Sequence, residues 1–213
     1  MKLITKGRVL ILLGIICFGL AIYQIYFNSE EDRFAGNSAD ALLEGVEAQI
    51  TNTVTDMNPT GEMKAVDVNG QSFIGIITIP AIDIRLPIQK EWSDENAKTA
   101  PCRYKGSVYD NNLIVAGHNY QRHFGKIKNL VSGDTVIVTD IDGRQYYYVV
   151  TYTETIGTYD VDDMDKGDWD FTVFTCTKGG ASRVTVRCEF LKMIAPGSGE
   201  SVINEIENKV TDN

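Results

Sequence analysis

The 213-residue chain is poor in the residues that build small metal and disulfide scaffolds. It has four cysteines, none in a Cys-x-x-Cys pair, and only two histidines. A zinc ribbon, a thioredoxin-like site and a disulfide framework are therefore excluded. A basic excess is also missing. Lys and Arg number 20 against 29 Asp and Glu, a formal charge of −9, whereas a nucleic-acid binder needs a cationic footprint to neutralise phosphates. No internal repeat and no low-complexity tract is visible. Disorder is excluded in turn, because 43% of the residues are hydrophobic and 9% aromatic. The length leaves room for one ordinary domain with appendages, not for two.

What is present begins with an apolar run from Val9 to Phe27, in which Gln24 is the strongly polar exception. As a helix it spans roughly 28 Å, the thickness of a bilayer's hydrocarbon core. Tyr23, Tyr26 and Phe27 fall at its far end, where aromatic rings favour the interface. Lys2, Lys6 and Arg8 precede it and Glu30, Glu31 and Asp32 follow it. The positive-inside rule puts residues 1–8 in the cytoplasm, 9–27 in the membrane and the rest outside. A cleaved signal peptide would have a shorter apolar stretch and a small-x-small site near residue 28, which is missing. The reading is a single-pass anchor at the cell membrane, with Cys17 a packing residue within it.

Beyond the anchor, Asn28 to Asn37 reads as a polar stalk. Ser38 can cap a helix over about 39–50, with Leu42, Leu43, Val46 and Ile50 on one face. Residues 51–72, punctuated by Pro59, Gly61 and Gly70, read as a linker. From Phe73 the texture changes to short β-branched and aromatic runs. Pro80 and Pro87 divide the first, over 73–88. Residues 112–117, 134–140, 144–156, 171–176 and 183–191 follow, with FGKIKNLV as a helical turn. Asp142-Gly143 is a two-residue hairpin signal. Seven or eight strands in about 120 residues predict an all-β fold: a closed β-barrel with short helices, preceded by one transmembrane helix. The domain boundaries are 28–72 for stalk and helix, 73–194 for the barrel and 195–213 for a polar tail. In that tail Val202, Ile203, Ile206 and Val210 can make a small amphipathic helix.

Chemistry concentrates at three strand ends. His118 follows an apolar strand, Cys176 ends another, and Arg183 opens the next after a turn containing Gly179-Gly180. Cys176 and Arg183 flank that turn, so they lie on adjacent antiparallel strands about 4.8 Å apart. A cation beside a thiol favours the thiolate, the attacking form. A histidine at a neighbouring mouth can protonate a leaving amine. Nucleophile, general acid and oxyanion clamp make an acyl-transfer site. Taken singly, each residue reads as packing or surface.

The ordered set resembles the sortases, membrane-anchored cysteine transpeptidases of Gram-positive cell surfaces. The family's Thr-Leu-x-Thr-Cys signature stands as Thr172-Val173-Phe174-Thr175-Cys176, with Val for Leu. Its Arg-led strand stands as Arg183-Val184-Thr185-Val186 and its Gly-His as Ala116-Gly117-His118. The opening pieces stand as Ile77-Thr78-Ile79-Pro80 and Leu86-Pro87-Ile88. The resemblance implies that Cys176 attacks the Thr–Gly bond of a Leu-Pro-x-Thr-Gly-like sorting signal on an exported protein. It implies His118 as general acid and base, Arg183 as oxyanion and substrate clamp, and an amine of the cell wall or a pilin as acceptor. Ala116, Asn119 and Thr175 are the expected substrate-lining residues. Arg187 is set aside because it lies roughly 13 Å further along the strand, opposite the start of FTVFTC.

The remaining signals are weaker. Asp160, Asp162, Asp163, Asp165, Asp168 and Asp170 crowd one loop, where some sortases bind calcium. Their spacing departs from the Asp-x-Asp-x-Asp-Gly loop and acidic runs are usually just solvated, so no cofactor is expected, with calcium at this loop as the alternative. His123 reads as a surface residue, and Cys102 and Cys188 as buried free thiols. Rival readings are a tethered thiol peptidase that hands the acyl group to water, and a non-enzymatic β-barrel binding module.

Overall fold

Alternating β-branched and aromatic residues after Gly70 can bury both faces only by curling into a closed sheet. The computed structural model shows that closure; it describes residues 2–54, 56, 58–158, 161–164 and 169–196, with the side chains of 2–6, 161 and 162 left aside. The strands are β1 (Val66–Val68), β2 (Gln71–Ile79), β3 (Ile84–Gln89), β4 (Cys102–Lys105), β5 (Leu113–Gly117), β6 (Thr135–Asp140), β7 (Gln145–Gly157), β8 (Phe171–Cys176) and β9 (Ser182–Ile194). Their order is β1-β2-β3-β4-β5-β8-β9-β7-β6, and a β2–β6 pairing closes strands β2 to β9 into a ring. Two neighbouring pairs, β3–β4 and β5–β8, are parallel and the others antiparallel.

Closure depends on Gly75. It faces Asp140 of β6, and a Cβ there would lie 2.1 Å from the Thr139 carbonyl oxygen. The β2–β3 register also shifts between Phe73 and Gly75. This bulge flips the side-chain phase of β2. Ile74, Ile77 and Ile79 point into the barrel core, while Phe73 and Ile76 join a second cluster outside it. That second cluster is covered by the N-terminal helix, which is why the Ile-rich run shows no alternation.

The helix α1 (Lys2–Glu47) is continuous for 46 residues. The expected stalk over 28–37 is helical, and Ser38 lies inside the helix rather than capping one. The physical reason is local. No proline separates Phe27 from Ser38, Gln24 donates to Asn28 across one turn (3.0 Å), and Arg33 pairs with Glu30. The apolar segment Val9–Phe27 is exposed throughout, and among the described residues this is the one helix long and apolar enough to cross a membrane. Further along, Ala35, Ala39, Leu42 and Val46 form a buried stripe at alternating three- and four-residue spacing. Leu42 and Val46 pack with Val68, Phe73 and Ile76.

Other differences have equally local causes. The expected linker contains β1, joined to β2 by Asn69-Gly70, both at positive φ as a tight hairpin requires. Pro87 lies within β3 instead of ending it, because the outer edge of β3 meets β4 only at Gln89↔Cys102. The Asp142-Gly143 hairpin is present with a wider loop, in which Gly143 N–H donates to the Asp140 carbonyl. Arg144 is buried there, its guanidinium donating to Asp140, Asp142 and the Asp56 carbonyl. FGKIKN forms the expected turn as a 3-10 helix. The C-terminal helix expected at Val202, Ile203, Ile206 and Val210 lies outside the described residues.

Candidate active site

Parallel pairing sets the site. Gly117 of β5 is in register with Thr175 of β8, so His118 and Cys176 leave the same end of two adjacent strands. The Thr175 hydroxyl donates to the Gly117 carbonyl (2.8 Å), a buried bond that fastens the two strands one residue before each functional group. On its other side β8 pairs with β9, and Cys176 stands directly opposite Arg183. Cross-strand partners share a face of the sheet. Three residues separated by 58 and 7 positions in sequence thus meet at one rim of the barrel.

Cys176 is partly exposed and lines a cavity of about 670 Å³. Asn119, Tyr120, Thr175, Thr177 and Lys178 share its wall, with Asn28, Ser29, Glu31 and Asp32 of α1 completing it. His118 is half-buried, with Trp92 at 6.4 Å and Tyr120 at 5.2 Å between ring centroids. Burial pushes its pKa below the ordinary histidine value; Asp94 and Glu31 oppose that shift and Lys98 reinforces it. A neutral imidazole is therefore favoured near pH 7. Among the described residues no hydrogen bond joins His118 to Cys176. The Arg183 guanidinium donates to the carbonyls of Gly180 and Ser182, both 3.1 Å away, and is held by its own hairpin.

The remaining expected residues separate. Asn119 and Thr175 line the cavity. Ala116 does not: it is buried in a cluster with Ile114, Ile156, Met164 and Phe174 on the outer face of β5 and β8. Arg187 is opposite Thr172, as its position in β9 predicts. Its buried guanidinium donates to the main-chain carbonyls of Asp163 and Met164, to Glu154 and to Thr172. It pins the helical turn α2 (Val161–Met164) over that cluster. His123 is not a surface residue. It is fully buried, its Nε2 bonds the Ala35 carbonyl of α1 (3.2 Å), and its pKa is pushed down to about 4, chiefly by burial. Cys102 and Cys188 are buried free thiols; burial raises both, Cys102 to about 12. Asp160, Asp165 and Asp168 of the acidic loop, and the Asp162 side chain, lie outside the described residues. Among the described residues no group of three His, Cys, Asp or Glu is arranged to hold a metal.

Two contributions escape the strand-end reasoning. Trp92 beside His118 sits in a loop with no pattern to mark it. The α1 wall was legible in principle, because Asn28, Asp32, Ala35, Ala39, Leu42 and Val46 repeat at three- and four-residue steps across the supposed stalk.

A sortase-domain family model matches residues 77–191, more than half of the chain. The chain belongs to the sortase family. Sortase A of Bacillus anthracis is 26% identical over 127 residues, which cover 57% of this chain and 60% of that protein. Among solved structures, sortase A of Listeria monocytogenes is 25% identical with a TM-score of 0.55, covering 66% of this chain and 98% of that one. Sortase C1 of Streptococcus agalactiae is 27% identical with a TM-score of 0.52, covering 59% and 71%. The eight-stranded ring with short helices is the sortase fold, and the matched span holds His118, Cys176 and Arg183.

Proposed function

We propose that this sortase is a cysteine transpeptidase anchored by residues 9–27 in the cell membrane of a Gram-positive bacterium. Residues 1–8 are cytoplasmic, 73–194 form the extracellular catalytic domain, and 195–213 are a tail. Its donors are exported proteins that carry a C-terminal Leu-Pro-x-Thr-Gly-like sorting signal. Neutral His118 takes the proton of the Cys176 thiol, the resulting thiolate attacks the Thr carbonyl carbon, and the N–H groups of Arg183 stabilise the developing oxyanion. His118 gives a proton to the departing Gly amine, leaving a thioester on Cys176. An acceptor amine of the cell wall or a pilin then attacks the thioester, His118 takes up its proton, and the thiolate is regenerated. No cofactor enters this sequence.

The observation that carries the reading is the register Gly117↔Thr175 together with Cys176↔Arg183, which supports a shared rim for the three groups beside the cavity. The test mixes the full-length protein, or its Cys176→Ala variant, with a library of Leu-Pro-x-Thr-Gly peptides and a small amine. Amine-joined peptide from the unsubstituted protein alone is expected by mass spectrometry. Hydrolysis products alone refute transfer in favour of a thiol peptidase, and identical silence from both proteins refutes the enzyme in favour of a binding module.

A further inference from the structure

We infer that the bilayer surface is a partner of the catalytic cleft: α1 holds the Cys176 cavity at the headgroup layer, so that Cys176 meets peptide donors as they emerge from the membrane. The inference rests on the proposed transpeptidase reading and adds a position to it. The barrel's contacts run along α1 in a fixed order. Asn28, Ser29, Glu31 and Asp32 line the Cys176 cavity in the first turn beyond Phe27. Ala35 follows against His123, and Leu42 and Val46 meet β1 and β2. Glu47 pairs with Arg85 of β3 at 2.7 Å. At 1.5 Å per residue the cavity wall begins within about 2 Å of the apolar segment's end, and the β1–β2 contacts lie roughly 25 Å further out. The catalytic rim is therefore the membrane-facing end of the barrel.

The register is rigid because the same helix is both anchor and wall. Its continuity past residue 27 leaves no hinge in between. Docking holds it from the barrel side. Arg122 donates its main-chain N–H to Asp32 (3.1 Å) and its guanidinium to Asn37 (3.1 Å) and Asp40. Its side chain lies over Gly36, where a Cβ would come within 2.2 Å of it. A donor peptide attached to a transmembrane segment thus presents its first extramembrane residues at the height of Cys176, while a bond held well above the surface is out of reach.

The test inserts seven helix-favouring residues between Phe27 and Asn28. The insertion turns the helix by only about 20° while raising the cleft by about 10 Å, and it leaves the α1 wall and its docking contacts intact. Full-length proteins in nanodiscs are given the same sorting peptide either free in solution or joined by a three-residue spacer to a transmembrane segment in the same bilayer. The expected result is a free-peptide rate within twofold of the uninserted protein and at least a tenfold loss on the embedded donor. Equal rates on both donors overturn the inference. Failure of the uninserted protein on both donors overturns the transpeptidase reading instead. An activity-independent readout attaches a water-soluble fluorescent maleimide to Cys176 in a Cys17→Ser background, where Cys102 and Cys188 are buried. Spin labels on lipid headgroups should quench it strongly, and less by at least half after the insertion. Unchanged quenching also overturns the inference.

Discussion

Arg183 and Arg187 point from the same face of β9, four residues and roughly 13 Å apart, and their surroundings predict opposite consequences of removal. Arg187 is 2% exposed. Arg187→Ala would strip donors from the Asp163 and Met164 carbonyls, Glu154 and Thr172. Breaking a buried charged network of this kind costs about 3–5 kcal/mol. Glu154 retains one-third of its exposure and can rehydrate, so the lower end applies, ~3 kcal/mol. For a domain of this size that is a fall in Tm of about 12 °C. Arg183 is only half-buried and donates to two carbonyls of its own hairpin, so Arg183→Ala should cost ~1 kcal/mol or less and move Tm by under about 4 °C.

Activity should follow the reverse order. Loss of an oxyanion donor lowers kcat by about 10²–10³. Arg183→Ala should therefore be well folded and nearly inactive, whereas Arg187→Ala, assayed at 15 °C where it is still folded, should keep a substantial part of the wild-type kcat. Thermal melts and a peptide–amine transfer assay on the same preparations decide it. An Arg183→Ala protein within threefold of wild-type kcat would refute the assignment, as would an Arg187→Ala protein with unchanged Tm and no activity.

Thr175→Val removes the buried hydroxyl that joins β8 to Gly117 with little change of volume; Tm should fall by a few degrees and kcat should drop more than KM changes, measured by melts and steady-state kinetics. Gly75→Ala should cost more than 3 kcal/mol and leave little folded protein in circular dichroism melts, because the added Cβ would meet the Thr139 carbonyl oxygen at the closure of the ring. His123 binds a proton less readily folded than unfolded, since burial depresses its pKa to about 4 from an ordinary 6.5. The unfolded chain then holds more protons between those values, so the stability His123 contributes is complete above about pH 6.5 and is lost as pH falls toward 4, by up to ~3 kcal/mol. Melts from pH 7.5 to 4.5 should show a steeper fall for the wild type than for His123→Gln; parallel curves would refute the linkage.

The sequence was most legible where one rule acted alone. FTVFTC and RVTVRCEFL are bounded by clear turns, and the Cys176↔Arg183 pairing follows from the length of the hairpin between them. Reading failed where two demands overlapped. β4 is four residues long and joins a parallel partner at one position, too little to leave a pattern. The stalk hides its helix because its exposed face is acidic. Only one residue in three or four carries the packing signal, and that signal is alanine, which reads as neither apolar nor polar. The burial of His123 has no local signal, because the surface that covers it is a helix 88 residues earlier in the chain.

The parallel β5–β8 pair explains why two distant motifs can act as one site. In an antiparallel hairpin the end of one strand lies beside the start of the next, as Cys176 lies beside Arg183. Bringing two strand ends together at one rim requires a parallel pair, and the chain must travel back to the opposite edge between them. Here that return is the β6–β7 hairpin, which also closes the barrel through β2–β6 and β7–β9. The same excursion that delivers Cys176 beside His118 therefore completes the core beneath them. Substitutions that loosen closure far less than Gly75→Ala does should misalign the residues of the shared rim before they unfold the domain. The Thr175–Gly117 bond is the point at which that misalignment would first be felt, because it is the last fixed contact before both functional side chains.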